Sequence, residues 1–297
     1  MGLHNQSVKR AFSLLNAFDG PHEWLANSEL ARRANLPGPS CYRLVQTLLE
    51  IGAVTRNSRG KYRLGMLLVS LSHNVIVGDV LREVSQQITA ELSSKLNVTV
   101  HLGILEDEMV TYVVKATTHT SFAAHTRVGT QLECYCSALG KVLLADLPPA
   151  QCEAAISGDE LIPLTPQTIT DRKVLRDQLE VVRRVGYALD DRESQIDTCC
   201  VAVPVRDRNG HTIAALSATE AAAKMTHERR AALLAGLVEA SAALTAKISP
   251  NAGGIKSVVE SGMALAGHQD IMSRRRVNRK FAPSQRSESV AISSCEY

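Results

Sequence analysis

Apolar residues recur at helical spacing through the first fifty positions and then give way to short alternating runs; that change of period outlines a first domain. Val8, Ala11, Leu14, Leu15 and Phe18 mark an amphipathic helix closed by Asp19-Gly20-Pro21. Asn27 is placed to cap a second helix, with Glu29 in its first turn, where the helix dipole favours an anion, and Leu30, Ala31 and Ala34 on its core side. Pro37-Gly38 breaks the chain, and Pro39 suits the first position of a third helix because its missing N–H would be unpaired there. Leu44, Val45, Leu48 and Leu49 give that helix a buried face and leave Ser40, Tyr42, Arg43 and Gln46 on the other side. Two short strands follow around Asn57-Ser58-Arg59-Gly60 and carry Arg56, Arg59, Lys61 and Arg63. A helical hairpin with ordinary surface charge is the plainer reading. Turn, exposed polar helix face and basic hairpin in this order instead predict a winged helix-turn-helix that reads duplex DNA. Ser40, Tyr42, Arg43 and Gln46 would enter the major groove, Arg43 suiting guanine and Gln46 adenine, while Arg56, Arg59 and Lys61 hold phosphates.

From Met66 to about Val77 the chain is almost wholly apolar and predicts a helix that connects two domains and helps to pair two chains. Asp79 to Leu96 continues as an amphipathic helix. The period then changes to two around Glu106-Asp107-Glu108, which predicts a hairpin of β-branched strands. Helices follow over "SALGKVLLADL", "PPAQCEAAI" and Asp171 to Val185, the last stopped by Gly186. A second hairpin turns at Asp207-Arg208-Asn209-Gly210, and "THERRAALLAGLVEASAALTAKI" forms a closing helix before Pro250. The expected organisation is a DNA-binding domain over 1–66, a linker helix over 67–80, an α+β domain over 81–249 and a disordered basic tail over 250–297.

Charge divides along the same lines. Residues 1–65 hold nine Lys/Arg against four Asp/Glu, residues 66–247 hold seventeen against twenty-two, and the rest hold seven against four. Phosphate binding is therefore expected from the first domain alone, with only nonspecific help from the tail. No apolar run looks long enough to span a bilayer, and "MGLHNQSVKRAF" lacks a signal pattern, so a cytoplasmic protein without membrane contact is expected.

The seven cysteines are odd in number and irregularly spaced, which fits reduced thiols. Cys134-x-Cys136 and Cys199-Cys200 leave open a redox or metal sensor on the same DNA-binding head, although the spacing is not that of a structural zinc module. No cofactor is expected. An enzyme built on Asp190, Asp191 and Glu193 is the remote alternative: "SALGKVLLA" lacks the glycine and hydroxyl positions of a phosphate loop, and neither HExxH nor a G-x-S-x-G elbow occurs.

Eight motifs in order, "SVKRAFSLL", "LARRANLPGPSCYRLVQTLLEIGAV", "YRLG", "SALGKVLLA", "LTPQTITD", "GYALDDRE", "CVAVPVRDRNG" and "AALSAT", resemble the IclR family of bacterial transcription regulators from Ser7 to about Ser249. The resemblance implies a winged helix-turn-helix joined by a linker helix to a GAF-like α/β effector-binding domain. It also implies a dimer or tetramer on palindromic operators, a small carboxylic or aromatic acid as effector, and control of a catabolic operon. The family's effector-contacting positions fall on Asp190, Cys200, Ser217 and Thr219, whose thiol and hydroxyls can donate to a carboxylate. The sequence departs from the family pattern at Pro39, Glu133, Tyr135, Asp197 and Glu220. Its Tyr135-Cys136-Ser137 is similar to the branch that senses aromatic acids.

Overall fold

A computed structural model describes residues 5–20, 22–121, 126–158 and 160–249. The expected disordered tail, with its basic run at 274–280, lies outside the described residues. The first domain comprises α1 (Gln6–Leu15), α2 (Asn27–Arg33), α3 (Gly38–Glu50) and a wing of β1 (Val54–Arg56) and β2 (Tyr62–Leu64). Leu14, Leu30, Cys41 and Val45 close its core with no exposed surface.

Three local expectations need correction. Asn27 does not cap α2: Leu25 exchanges both backbone hydrogen bonds with Tyr62 of the wing, each 2.8 Å, and this extended entry makes Ala26 the cap residue. The Asn27 Oδ1 is left buried without a hydrogen-bond partner among the described residues. Pro39 occupies the second position of α3, after Gly38, where a missing N–H is equally harmless. Val8 stays half exposed because α1 packs only through its C-terminal part.

The apolar connector is not one helix. α4 (Met66–Ser72) stops, and α5 (Val77–Leu96) starts two residues before the expected Asp79. Between them Val75 donates to the Ser72 carbonyl at 2.9 Å, and Asn74 with β-branched Val75 and Ile76 disfavours helix continuation.

Beyond α5 run β3 (Thr99–Glu106), β4 (Met109–Ala116), β5 (Gln131–Glu133), α6 (Ala138–Asp146), α7 (Pro149–Ser157), α8 (Arg172–Val185), β6 (Ala188–Asp191), β7 (Thr198–Arg206), β8 (Thr212–Ala221) and α9 (His227–Ile248). The strands form one antiparallel sheet in the order β5-β4-β3-β8-β7-β6. Leu102, Val114, Val201 and Leu216 face α5 and α9 on one side, while Tyr112, Ala202 and Ala215 face α6 and α8 on the other. The α+β class follows directly. Contrary to the sequence expectation, α9 is long and apolar enough to cross a bilayer, but Leu233, Leu237 and Leu244 are buried against the sheet, and the apolar run serves the core.

Candidate DNA-reading face and effector site

Burial of Cys41, Val45 and Leu48 fixes the roll of α3 and turns Tyr42 and Arg43 to solvent. Ser40 and Gln46 lie at the edge of that face, half buried, and the Gln46 amide donates to the Tyr62 hydroxyl at 3.4 Å, which ties the reading helix to the wing. Thr47 shares the face one turn beyond Arg43, and sequence reasoning missed it. Arg63 stacks on Trp24, with its guanidinium 4.8 Å from the ring centroid, and Arg56 lies 5.7 Å from the Tyr62 ring. Arg59 and Lys61 are exposed around the wing turn.

The basic surface is more concentrated than composition implies. Arg33 bonds Glu23 at 2.8 Å, Glu29 at 2.8 Å and Asp19 at 3.1 Å, and Arg32 takes the other side of Glu29. Two of the nine basic residues thus absorb three of the four acids of this domain. What remains faces outward from α1, α3 and the wing, where a polyanion would meet it.

In the second domain, strand register gathers the four residues singled out on the α6 side of the sheet. Asp190 pairs with Cys200, Cys200 with Thr219 and Thr219 with Thr99, while Ser217 lies opposite Ala202 and His101. The Cys200 Sγ is 3.3 Å from the Thr219 hydroxyl. Asp190 is fully engaged by its own loop: Oδ1 accepts from the N–H groups of Glu193 (2.7 Å) and Ser194 (3.3 Å), and Oδ2 accepts from the Ser194 hydroxyl (2.5 Å). Burial pushes its carboxyl above the usual range, with these donors pulling the other way.

Sequence reasoning missed what holds that loop. Lys141, with no exposed surface, donates to both Glu193 oxygens at 2.5 and 2.6 Å and to the Leu189 carbonyl at 3.2 Å. The hydroxyls of Thr165 and Thr168 donate to the carbonyls of Arg192 (2.6 Å) and Glu193 (2.7 Å). "SALGK", "LTPQT" and "DDRE" are therefore three parts of one buried clasp. Beside it opens a cleft of about 500 Å³ between Thr165-Pro166 and Gln195-Ile196.

Two of the departures from the family pattern, Glu220 and Tyr135, are absorbed locally. Buried Glu220 accepts from Arg229 at 2.8 Å, and Arg229 also donates to the Leu96 carbonyl at 2.6 Å. The Tyr135 hydroxyl is spent on the Ile162 carbonyl at 2.8 Å. His101, Tyr112 and Lys115 also belong to the α6 face; period-two alternation would have found them only with the register of β3 and β4 in hand. Burial, reinforced by Lys115, pulls the His101 imidazole down to about 3, so it is neutral. Burial pushes all six thiols among the described residues up, Cys136 and Cys199 to about 12. Among the described residues, no three His, Cys, Asp or Glu side chains gather as a metal-holding group.

Comparison with known proteins agrees with both halves of this architecture. Residues 7–58 match the IclR helix-turn-helix domain, and residues 73–246 match the bacterial transcriptional regulator IclR C-terminal domain. The chain belongs to the IclR family. It is 35% identical to the HTH-type transcriptional regulator XynR of Escherichia coli over 213 residues, covering 71% of this chain and 84% of XynR. It is 31% identical to KdgR of the same species over 244 residues, covering 82% of this chain and 92% of KdgR. Among solved structures, the IclR of Thermotoga maritima aligns with TM-score 0.55 at 29% identity, over 82% of this chain and 99% of that one. An IclR homologue from Microbacterium hydrocarbonoxydans complexed with 4-hydroxybenzoate aligns with TM-score 0.54 at 27% identity, over 82% and 99%. As an IclR-type protein, the chain is a ligand-responsive, DNA-binding transcription regulator, and its named relatives are regulators rather than enzymes.

Proposed function

We propose that this regulator controls genes for the catabolism of a small organic or aromatic acid and that the acid binds on the α6 face of the sheet. The observation that carries the reading is the polar row of buried Asp190, half-buried Cys200 and buried Thr219, with buried Ser217 beside it, in a domain with excess negative charge joined to a head whose outward charge is basic. The 4-hydroxybenzoate bound by the Microbacterium homologue supports an aromatic acid as effector. Asp190 acts chiefly by holding its loop, and Cys200, Ser217 and Thr219 meet the ligand. The head extends to residue 66, the connector over 67–80 includes the first turn of α5, and 81–249 form the effector domain. Exposed Met66, Leu71, Val75 and Ile76 on the connector, with Phe12 on α1, form the surface through which two copies pair in the cytoplasm. A cysteine sensor is disfavoured by six thiols held protonated by burial. Catalysis by the acidic loop is disfavoured because Asp190 and Glu193 are consumed by internal donors.

Ser40, Tyr42, Arg43 and Gln46 read bases, while Arg56, Arg59 and Lys61 hold phosphates, giving affinity that falls with salt. Arg43→Ala is expected to cut the preference for operator over nonspecific DNA by about 1–3 kcal/mol, roughly 5- to 150-fold, when both affinities are measured at one salt concentration. Unchanged discrimination would remove Arg43 from the reader. Ser217→Ala is expected to leave operator affinity intact and to weaken release or recruitment by the effector; a wild-type ligand response in that variant would misplace the pocket.

A further inference from the structure

The ladder between β3 and β4 contains one extra residue. Leu102 pairs with Val114, yet Gly103 pairs with Tyr112, so Val113 bulges. Val113 and Val114 consequently both face α5 and α9, while Tyr112 is turned to the α6 side and Lys115 falls opposite His101. The bulge is held in place: Arg82 of α5 donates its Nε–H to the Val113 carbonyl at 3.3 Å. A bulge beside a site commonly re-aims one side chain, and here that side chain is a phenol. The Tyr112 ring lies 4.9 Å from the His101 ring, tilted by 47°. Both rings are almost completely buried.

The Tyr112 hydroxyl has no hydrogen-bond partner among the described residues, and neither has the Ser217 hydroxyl two strands away. Neither is among the fully enclosed unpartnered side-chain atoms of the described residues, so each hydroxyl opens onto space from which an external acceptor can take its hydrogen. The side chains nearest the phenol make their hydrogen bonds elsewhere. Asp190 already accepts from Glu193 and Ser194, and Cys200 is engaged with Thr219. Burial, then Cys200 and Asp190, push the phenol's pKa up, so it is a proton donor at any working pH. The cation of this wall is Lys115, whose Nζ donates to the Thr126 carbonyl at 2.9 Å, with neutral His101 between it and Ser217.

We propose that Tyr112 is an effector-binding residue, donating its phenolic O–H alongside the Ser217 hydroxyl to the carboxylate of the bound acid. This deepens, and rests on, the placement of the effector on the α6 face. The ligand is an acid whose carboxylate points towards β3 and β4, under the field of Lys115, and whose remainder reaches towards Cys200 and Thr219.

The test uses the full-length protein in calorimetric titrations with pyruvate, benzoate and 4-hydroxybenzoate, each beside its amide. At least one acid is expected to bind the wild type, with its amide tenfold weaker or worse. Tyr112→Phe is expected to weaken that acid about tenfold and the amide, whose carbonyl is the weaker acceptor, by less. The melting temperature of the ligand-free variant should be equal to or above wild type, because the deleted hydroxyl has no internal partner. Unchanged acid affinity in Tyr112→Phe with weakened binding in Ser217→Ala would overturn the role of Tyr112 and leave the pocket standing. Unchanged affinity in both variants, or no binding of any acid to the wild type, would overturn the pocket as well. A ligand-free melting temperature several degrees lower in Tyr112→Phe would make the residue structural and sink the proposal.

Discussion

Replacing Lys141 with methionine is expected to destabilise the effector domain by about 3–5 kcal/mol at pH 8, among the largest losses available to a single substitution here. The physical reason is asymmetry. A buried ion pair gains little over apolar residues of the same shape, but deleting one partner leaves the other charge buried alone. Lys141 has no exposed surface, and Glu193 has almost none. For a domain of this size the loss corresponds to a fall of roughly 6–20 °C in melting temperature. The dependence on pH identifies the cause. Burial pushes the Glu193 carboxyl up to about 7 even though Lys141 pulls it down. A raised carboxylate pKa means that the folded state binds the proton more tightly than the unfolded chain does. Stability linked to Glu193 is therefore fully present below the ordinary carboxylate range, declines as pH rises towards about 7, and is level above it. Removing Lys141 raises that pKa further, so the variant can recover by protonating Glu193 in acid. Its deficit at pH 5 should be clearly smaller than at pH 8. Equal deficits at the two pH values would show that lost packing, not an orphaned charge, is responsible. Lys141→Met combined with Glu193→Leu should regain most of the lost stability at pH 8.

The same pair marks where the sequence was legible and where it was not. Helices with an apolar period and a local cap could be read directly: Asp171 accepts from the N–H groups of Lys173 and Val174, and Gly186 ends α8 in a left-handed conformation. Hairpins with turn chemistry could be read as well, since Asp207 caps its own turn by accepting from Asn209 and His211. Interactions between elements far apart in the chain left no local signature. Lys141 looked like a fragment of a phosphate loop because its partner, Glu193, lies 52 positions away. Asp190 was singled out as an effector-contacting residue, and its hydrogen bonds go to its own loop. Tyr112 was invisible because a bulge, which no alternation pattern announces, decides the face it occupies. At the DNA-reading end, Asn27 failed as a cap because the bridge from Leu25 to Tyr62, 37 residues later in the chain, sets the entry of α2. Tertiary contacts overrode a good local signal there.

Gly140→Ala is expected to be as damaging as the loss of Lys141, for a different reason. Gly140 sits in the first turn of α6, directly against the backbone of the segment that leads into it. A Cβ at this position would lie 2.6 Å from the Cys134 carbonyl carbon, with the Cα and oxygen of Cys134 nearer still. Those atoms are main chain and cannot rotate away. They are also tethered, because the Ser137 hydroxyl donates to the Glu133 carbonyl at 3.0 Å and accepts from the Gly140 N–H at 3.1 Å. Relief would require α6 to move off the sheet, and α6 carries Lys141 to Glu193. Overpacking of a tight core costs about 1–3 kcal/mol when side chains can adjust, and a backbone collision belongs at or above the upper end of that range. Gly38→Ala is the control: nothing lies within 4 Å of the Cβ it would add, and alanine is the better helix former at the start of α3. Urea melts should place Gly140→Ala at least about 3 kcal/mol below wild type, the top of the overpacking range, and Gly38→Ala level with wild type. The response to an acid effector should weaken along with stability, since a displaced α6 loosens the clasp on the Asp190 loop. A Gly140→Ala protein as stable and as responsive as wild type would mean that "SALGK" is not the packing motif argued for above.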